Sequence, residues 1–537
     1  MAAARVAAAD AAAVARRRDR RDDGVTALVS APAGVCPPAE VCETHLGVVV
    51  LVGDRAFKVK KPVRTAFCDF STPDQRRAAV ERELRLNRRL APDVYLGTAE
   101  LRGSGCAEPV LVMRRMPGDR RLSGLVAAGA DVTDGLRRLA RDLAAFHAGA
   151  DRSEAITADG GLPAVRARWA ANLTEIDPFR GNPLDGAALD ATADLAGRFL
   201  AGREALFARR AAAGRVVDGH GDLTAADVFL LDDGPRMLDC LDFDPHLRHV
   251  DGLDDAAFLA MDVERLGQPR AADGFLAAYA EFAGDPAPQA LAHHFIAYRA
   301  LVRAKVACLR HAQDPAVGAD TEAVRLLRLT LEHLRRAAPR LVLVGGMPGT
   351  GKSTLAGALA DRTGAVLLSS DRTRKEIAGL DPLAPAGAAF GEGLYTAERT
   401  AAVYAELLRR AAVLLAEGES VVLDASWSTA AGRRDAGAAA TEAAADLVEL
   451  RCTVAPEVAA ERLHRRRGSA SDATPEIATA LRAAADPWPS ATGIPTIGSP
   501  DSSVALALAA WERAAVRHAT TPDRAGTPAD GPPTGLH

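Results

Sequence analysis

The run from Arg340 to Gly345 is an apolar, β-branched strand that opens directly onto Gly346-x4-Gly351-Lys352-Ser353, and helical sequence follows. Few local patterns restrict a chain more tightly. In such a loop, glycines let backbone N–H groups curl around phosphate oxygens, and the succeeding helix points its positive end at the same place. A lysine there neutralises β- and γ-phosphate charge, and a serine hydroxyl reaches Mg2+. A plain glycine-rich turn accounts for neither Lys352 nor Ser353. The pattern predicts an α/β domain that binds a nucleoside triphosphate through Gly346, Gly349, Thr350, Gly351, Lys352, Ser353 and Thr354.

The flanking sequence has the alternation that such a domain needs. Strand candidates at 341–345, 365–369, 420–424 and 447–452 are separated by helical segments, the signature of a parallel sheet. Two of these strands lead to carboxylates. Asp371 reads as a base for a substrate hydroxyl or as the cap of the next helix, with Arg374 directed at phosphate or substrate. Asp424 reads with Ser353 as a Mg2+ site, and Arg433 follows it. Farther on, Arg462 and Arg466 lie in a basic helical segment ahead of Gly468, either a lid that closes arginines over phosphates or a solvated helix.

At 537 residues the chain exceeds what one core organises, so two domains are expected. A net charge of −4 argues against a broad basic face, and nucleic acid is not an expected partner. The seven cysteines form no C-x-x-C pair and read as reduced thiols. No apolar run reaches membrane-span length, and the Arg-rich stretch from Arg16 to Asp23 carries no signal core. A cytoplasmic protein with no membrane association is expected. Residues 1–25 and 516–537 read as disordered tails.

Upstream of the P-loop, the segment from Leu46 to Lys61 reads as two strands about a Gly53-Asp54 turn, and Pro73 to Leu90 is helical in period. Pro109 to Met116 is another strand candidate, and long helical sequence follows to about residue 215. Val216 to Asp222, then Val228 to Leu231 and Arg236 to Asp242, give a strand, a loop and a hairpin turning at Asp232-Asp233-Gly234. Asp222, Asp227 and Asp239 thereby fall on two loops. Three carboxylates in that arrangement suit phosphoryl transfer: one accepts the proton of an attacking hydroxyl, and two hold Mg2+. Lys58 on the second hairpin strand offers a fixed charge for the α- and β-phosphates, steadied by Glu83; Lys60 shares its face, and Glu81 is the neighbouring alternative. Arg299 and Arg303 share one helical face, as an anion-binding pair or a solvated stripe, while His45 and His147 read as structural.

On the lysine strand, His220-Gly221-Asp222, the metal loop and the Asp251-to-Phe258 helix start, residues 26–336 resemble the aminoglycoside phosphotransferase-like kinases. The resemblance implies a protein-kinase-like α+β domain in which Asp222 is the catalytic base, Asp239 a metal ligand, and Asp227 stands where the family usually has asparagine. That substitution adds negative charge to the metal site. Residues 340–515 are similar to the P-loop kinase group that includes gluconate kinase, polynucleotide kinase and zeta-toxin-like kinases, which implies a parallel α/β sheet with helices on both faces. The whole resembles bacterial two-domain proteins described as bifunctional aminoglycoside phosphotransferase/ATP-binding proteins. ATP and Mg2+ are the implied cofactors, and a small-molecule hydroxyl acceptor is the implied partner. An ATP-responsive regulator that transfers little phosphate is the alternative.

Overall fold

The computed structural model describes residues 39–44, 46–64, 68–102, 107–315, 318–381, 393–465 and 474–517. Most of both predicted tails, His45 and Arg466 lie outside the described residues. The chain groups into two compact units: Met1–Gly186 with Glu204–His333, and Ala187–Arg203 with Leu334–His537. The stretch Ala187–Arg203, included in the span 26–336, thus groups with the second unit. Among the described residues, no helix is long and apolar enough to cross a membrane.

The first unit carries a five-stranded antiparallel sheet in the order β1-β2-β3-β5-β4, with β1 at Glu40–Glu43, β2 at Gly47–Val52, β3 at Arg55–Lys60, β4 at Tyr95–Arg102 and β5 at Ala107–Arg114. Strands β2 and β3 pair about the Gly53-Asp54 turn, with Val52 opposite Arg55. The helix Pro73–Asn87 opens on a reciprocal capping box between Thr72 and Gln75, with proline in its first turn, so its start is fixed by local chemistry. Its Val80 joins Tyr95 and Leu111 in a buried cluster that extends to Phe229 and Leu238. Helices supply most of the remainder. Between them lie β6 (Val216–Asp218) paired with β9 (His249–Asp251), and the hairpin β7 (Val228–Leu231) with β8 (Gly234–Met237). A small antiparallel sheet, one helix against it and a helical remainder holding a loop-and-hairpin insert make a protein-kinase-like fold.

In the second unit all strands are parallel, in the order β11-β12-β10-β13-β14, with β10 at Arg340–Gly345, β11 at Val366–Ser369, β12 at Val421–Asp424, β13 at Asp446–Thr453 and β14 at Thr492–Pro495. Side-chain alternation splits the core in two. Val342 and Val344 pack with Leu355 and Leu359 of the helix after the P-loop and with Val504 and Ala507 of the helix Pro500–Arg517. Leu341 and Leu343 face the opposite way, onto Val403, Leu407 and Ala411 of the helix Ala397–Ala416. Helices on both faces explain why β10 and β12 are buried along their whole length. Strands β10, β11 and β12 end at one edge of the sheet, in register at Val344, Ser369 and Asp424. The carboxyl edge of a doubly wound sheet is where loops gather for ligand binding.

Candidate functional site

At that edge of the second unit, β10 turns into the P-loop. Gly346 has φ +134°, and a Cβ there would lie 2.7 Å from the Cys452 carbonyl oxygen and 2.8 Å from Thr350 Oγ1. Only glycine fits. The helix Lys352–Thr363 starts from Gly351 without a side-chain cap. Its first-turn N–H groups have no partner within the helix, so a phosphate oxygen suits them. These features fit the residues to a triphosphate.

A cavity of about 420 Å3 opens beside this loop, and Gly351, Lys352, Ser353, Asp371, Asp424 and Arg462 all line it. Lys352 Nζ donates to the Met347 carbonyl at 3.2 Å. Thr350 is buried and donates its hydroxyl to the same carbonyl at 2.7 Å, so its side chain shapes the loop. Asp424 is buried at the end of β12. Asp371 lies in the first turn of the helix Ser370–Ile377, whose N-cap is Ser369. The carboxylate that sequence alone offered as a cap is therefore a cavity wall. Arg462 is held at the P-loop by Thr496, donating to its carbonyl at 2.7 Å, while the Thr496 hydroxyl donates to the Thr350 carbonyl at 2.6 Å. No sequence signal marked Thr496.

Two further arginines have mixed or structural roles. Arg374 lines the cavity but is also buried, donating to the Leu394 carbonyl at 2.9 Å and stacking 4.7 Å from the Tyr395 ring centre. Arg433 is buried and donates to the Trp427 and Pro487 carbonyls, both at 2.7 Å. Tyr404, which no motif singled out, lines the same cavity and contacts Ser426 Oγ at 3.0 Å.

In the first unit the structure resolves the lysine alternatives by using both. Glu83 is buried; its Oε1 accepts from Lys58 Nζ and its Oε2 is ion-paired with Lys60 Nζ, each at 2.7 Å. Glu81 points to solvent. Lys58 also reaches Asp239 Oδ1 at 2.8 Å, and Lys60 reaches Asp242 Oδ2 at 2.9 Å. Burial works against the Lys58 ammonium, but the Asp239 and Glu83 carboxylates overcome it and hold its pKa well above the usual lysine value. Asp239, on the loop after β8, has φ +60°, and its N–H donates to the Tyr95 hydroxyl at 3.0 Å. Proximity to Lys58 draws its carboxyl below the usual range.

The loop carrying Asp222 is held from beneath by a residue that the sequence reading noted only as part of a helix start. Asp255 is fully buried and accepts from the backbone N–H of His220 at 2.6 Å and of Gly221 at 2.9 Å, and lies 3.1 Å from His147 Nε2. Burial pushes its pKa up, yet the His147 and His220 contacts outweigh that and hold it well below the carboxylate range. His147 is structural, as expected. Arg299 corrects the solvated-stripe and anion-site readings alike: it is buried, and its guanidinium forks onto Asp254 at 2.7 and 2.9 Å. It also donates to the Gly221 carbonyl at 3.2 Å.

Burial raises the Asp222 carboxyl pKa against the pull of Arg303 and His220. Asp227 accepts from Thr224 Oγ1 at 2.7 Å; burial, with Asp239 and Asp222 adding like charge, pushes it up to about 7. Asp239 is held against Lys58 at 2.8 Å, and Asp222 and Asp227 lie near enough to feel its charge. Asp227 and Asp239 offer carboxylate oxygens, the donor type that Mg2+ takes.

A family model described as an AAA domain matches residues 341–487. Among solved structures, the chain is similar to a gluconokinase from Sinorhizobium meliloti 1021 at 19% identity, covering 34% of this chain and 95% of that one, with a TM-score of 0.26. It is also similar to the GDP and kanamycin complex of APH(2")-IIia at 19% identity, covering 56% and 94%, with a TM-score of 0.37. Similarity along nearly the whole chain is found with Rv2004c of Mycobacterium tuberculosis (strain ATCC 25618 / H37Rv) and Mb2027c of Mycobacterium bovis. Each is 45% identical over 481 residues, 89% of this chain and 96% of the relative. At that identity and coverage, the chain belongs to the family of these two mycobacterial proteins.

Proposed function

We propose that this chain is an ATP-dependent phosphotransferase with two kinase-like sites, moving the γ-phosphoryl group of Mg-ATP to a hydroxyl of a small molecule. Sugars, sugar acids, nucleosides and aminoglycoside-like alcohols are the acceptor classes. One observation carries the reading: a single cavity of the second unit is lined by the P-loop, Lys352, Ser353, Asp424 and Asp371. Phosphate-binding groups and a carboxylate able to orient a hydroxyl meet there, and phosphoryl transfer asks little more of a protein than positioning and charge.

In the second unit, Gly346 to Thr354 and Arg462 hold the triphosphate, Ser353 and Asp424 hold Mg2+, and Asp371 takes the acceptor's proton. Arg466, outside the described residues, is assigned to the phosphates with Arg462. In the first unit, Lys58 fixed by Glu83 meets the phosphates, Asp227 and Asp239 hold Mg2+, and Asp222 is the base. When bound, Mg2+ neutralises charge on the transferring group. A net charge of −4 favours a small-molecule acceptor over nucleic acid.

The test is incubation of the full chain with labelled ATP and a panel of those four acceptor classes, beside Lys352→Ala and Asp222→Ala. Acceptor-dependent product, lost in one or both variants, is expected. Nucleotide binding with no product on any acceptor would refute the proposal and favour an ATP-responsive regulator.

A further inference from the structure

The first unit holds a cavity that the reading above does not use. It measures about 240 Å3 and is lined by Arg265, Arg303, Arg310 and Glu322, with Ala307 and Leu326 among its apolar walls. That is below the range of roughly 300–1,000 Å3 usual for drug-sized ligands. A small molecule suits it.

Its charge is one-sided. Arg265 is already neutralised, paired with Asp262 and with Glu322, each at 2.7 Å. The one carboxylate of the lining is thereby occupied. Among the described residues, the side chains of Arg303 and Arg310 have no hydrogen-bond or ion-pair partner, so two guanidiniums remain for whatever enters. Planar guanidiniums match phosphate and carboxylate geometry better than an ammonium does, and a concave site with low-dielectric walls concentrates their field.

Position ties the cavity to the reaction centre. On the helix Gln289–Gln313, Arg299 donates to the Gly221 carbonyl, immediately before Asp222. Arg303 lies one turn further along the same face. Its charge also acts on the Asp222 carboxyl. The loop is fixed to this wall from a second point, where the Ala225 N–H donates to Asp262 at 2.9 Å.

We propose that this cavity is the acceptor subsite of the first unit, and that its acceptor is a small alcohol bearing a phosphate or carboxylate, gripped by Arg303 and Arg310. This rests on the phosphotransferase reading of Asp222. The acceptor's hydroxyl oxygen bonds to the γ-phosphorus of ATP as the bond from that phosphorus to the β,γ-bridging oxygen breaks. Asp222 takes the hydroxyl proton, and ADP leaves with the electron pair of the broken bond. A polycationic aminoglycoside is disfavoured in this unit, because its ammonium groups meet unpaired guanidiniums.

Calorimetric titration of the full chain, without nucleotide, separates the cases. The probes are 6-phosphogluconate, gluconate, glucose and kanamycin, run against wild type, Arg303→Gln, Arg310→Gln and Arg303→Lys. Arg310 is exposed, so its variant keeps the fold even if Arg303→Gln does not. The expected result is that an anionic probe binds at least tenfold more tightly than glucose or kanamycin, weakens at least tenfold in each glutamine variant, and partly recovers in Arg303→Lys. Kanamycin binding more tightly than both anionic probes, or anion binding indifferent to Arg303 and Arg310, overturns the inference. Labelled-ATP assays read the other half. Arginine-dependent binding with no Asp222-dependent transfer overturns the phosphotransferase reading of this unit, and the acceptor assignment with it.

Discussion

Replacing Asp255 by asparagine should loosen the loop that carries Asp222, by an amount that follows from its hydrogen bonds. The carboxylate serves two backbone amides, His220 N at 2.6 Å and Gly221 N at 2.9 Å, one on each oxygen, with His147 Nε2 at 3.1 Å as a third contact. An amide has a single oxygen to offer. Its NH2 group would face whichever N–H lost its acceptor. A charge-assisted hydrogen bond forgone costs about 1.5–3 kcal/mol, and a buried N–H left unpaired about 1–3 kcal/mol. Since the two overlap, a net loss of about 3 kcal/mol from the first unit is expected. Two-unit chains need not unfold in one step, so the readout is hydrogen exchange at the amides of residues 218–225 together with urea unfolding. The sign with pH is fixed as well. Because the folded carboxyl titrates below its usual range, its contribution is complete above the unfolded value near ~3.9 and fades as pH falls through the folded value. The gap between wild type and variant should therefore be flat from about pH 5 to 8. A gap below about 0.5 kcal/mol, or unchanged exchange at His220 and Gly221, would refute the anchoring argument.

Four other substitutions are open to direct measurement. Lys352→Ala should weaken Mg-ATP binding to the second unit at least tenfold by calorimetry, because its side chain lines the cavity beside the P-loop and supplies positive charge there. Gly349 has φ +80°, and an added Cβ would collide with the Ala459 carbonyl, so Gly349→Ala should cost at least about 1–2 kcal/mol and damage nucleotide binding. Gly357→Ala, on the helix Lys352–Thr363 with nothing within 4 Å, is the matched control and should gain about 0.4–1 kcal/mol in denaturant unfolding. Asp285→Ala leaves Arg210, buried between Asp285 and Asp251, with half its partners, and should destabilise the first unit by about 3–5 kcal/mol in the same experiment.

Legibility in the sequence followed the range of the interaction. The hairpin β2–β3 announced itself through an apolar run and a Gly53-Asp54 turn, and the P-loop through residues adjacent in the chain. Strand β4 was missed because Gly97 and a register shift between Tyr95 and Gly97 break its alternation. Strand β14 has four residues, one of them proline, and earns its place by pairing with β13. Edge strand β1 is exposed along its length and leaves no apolar signal.

For the candidate sites, the chain by itself determined which residues have the chemistry: the P-loop, three aspartates on two loops, a lysine strand and a carboxylate after β11. Tertiary structure alone decided how they are used. It gave Glu83 to two lysines at once, turned Arg299 from a helix-surface cation into the buried partner of Asp254, and set Asp255 beneath the loop that carries Asp222. It also grouped Ala187–Arg203 with the second unit, where Arg198 meets Asp446 at 2.9 Å. The physical reason is that periodicity and turn chemistry report neighbours a few residues apart, whereas these pairings join residues 25 to 248 positions apart. Only the packing of whole helices and strands brings such groups within reach of a charge.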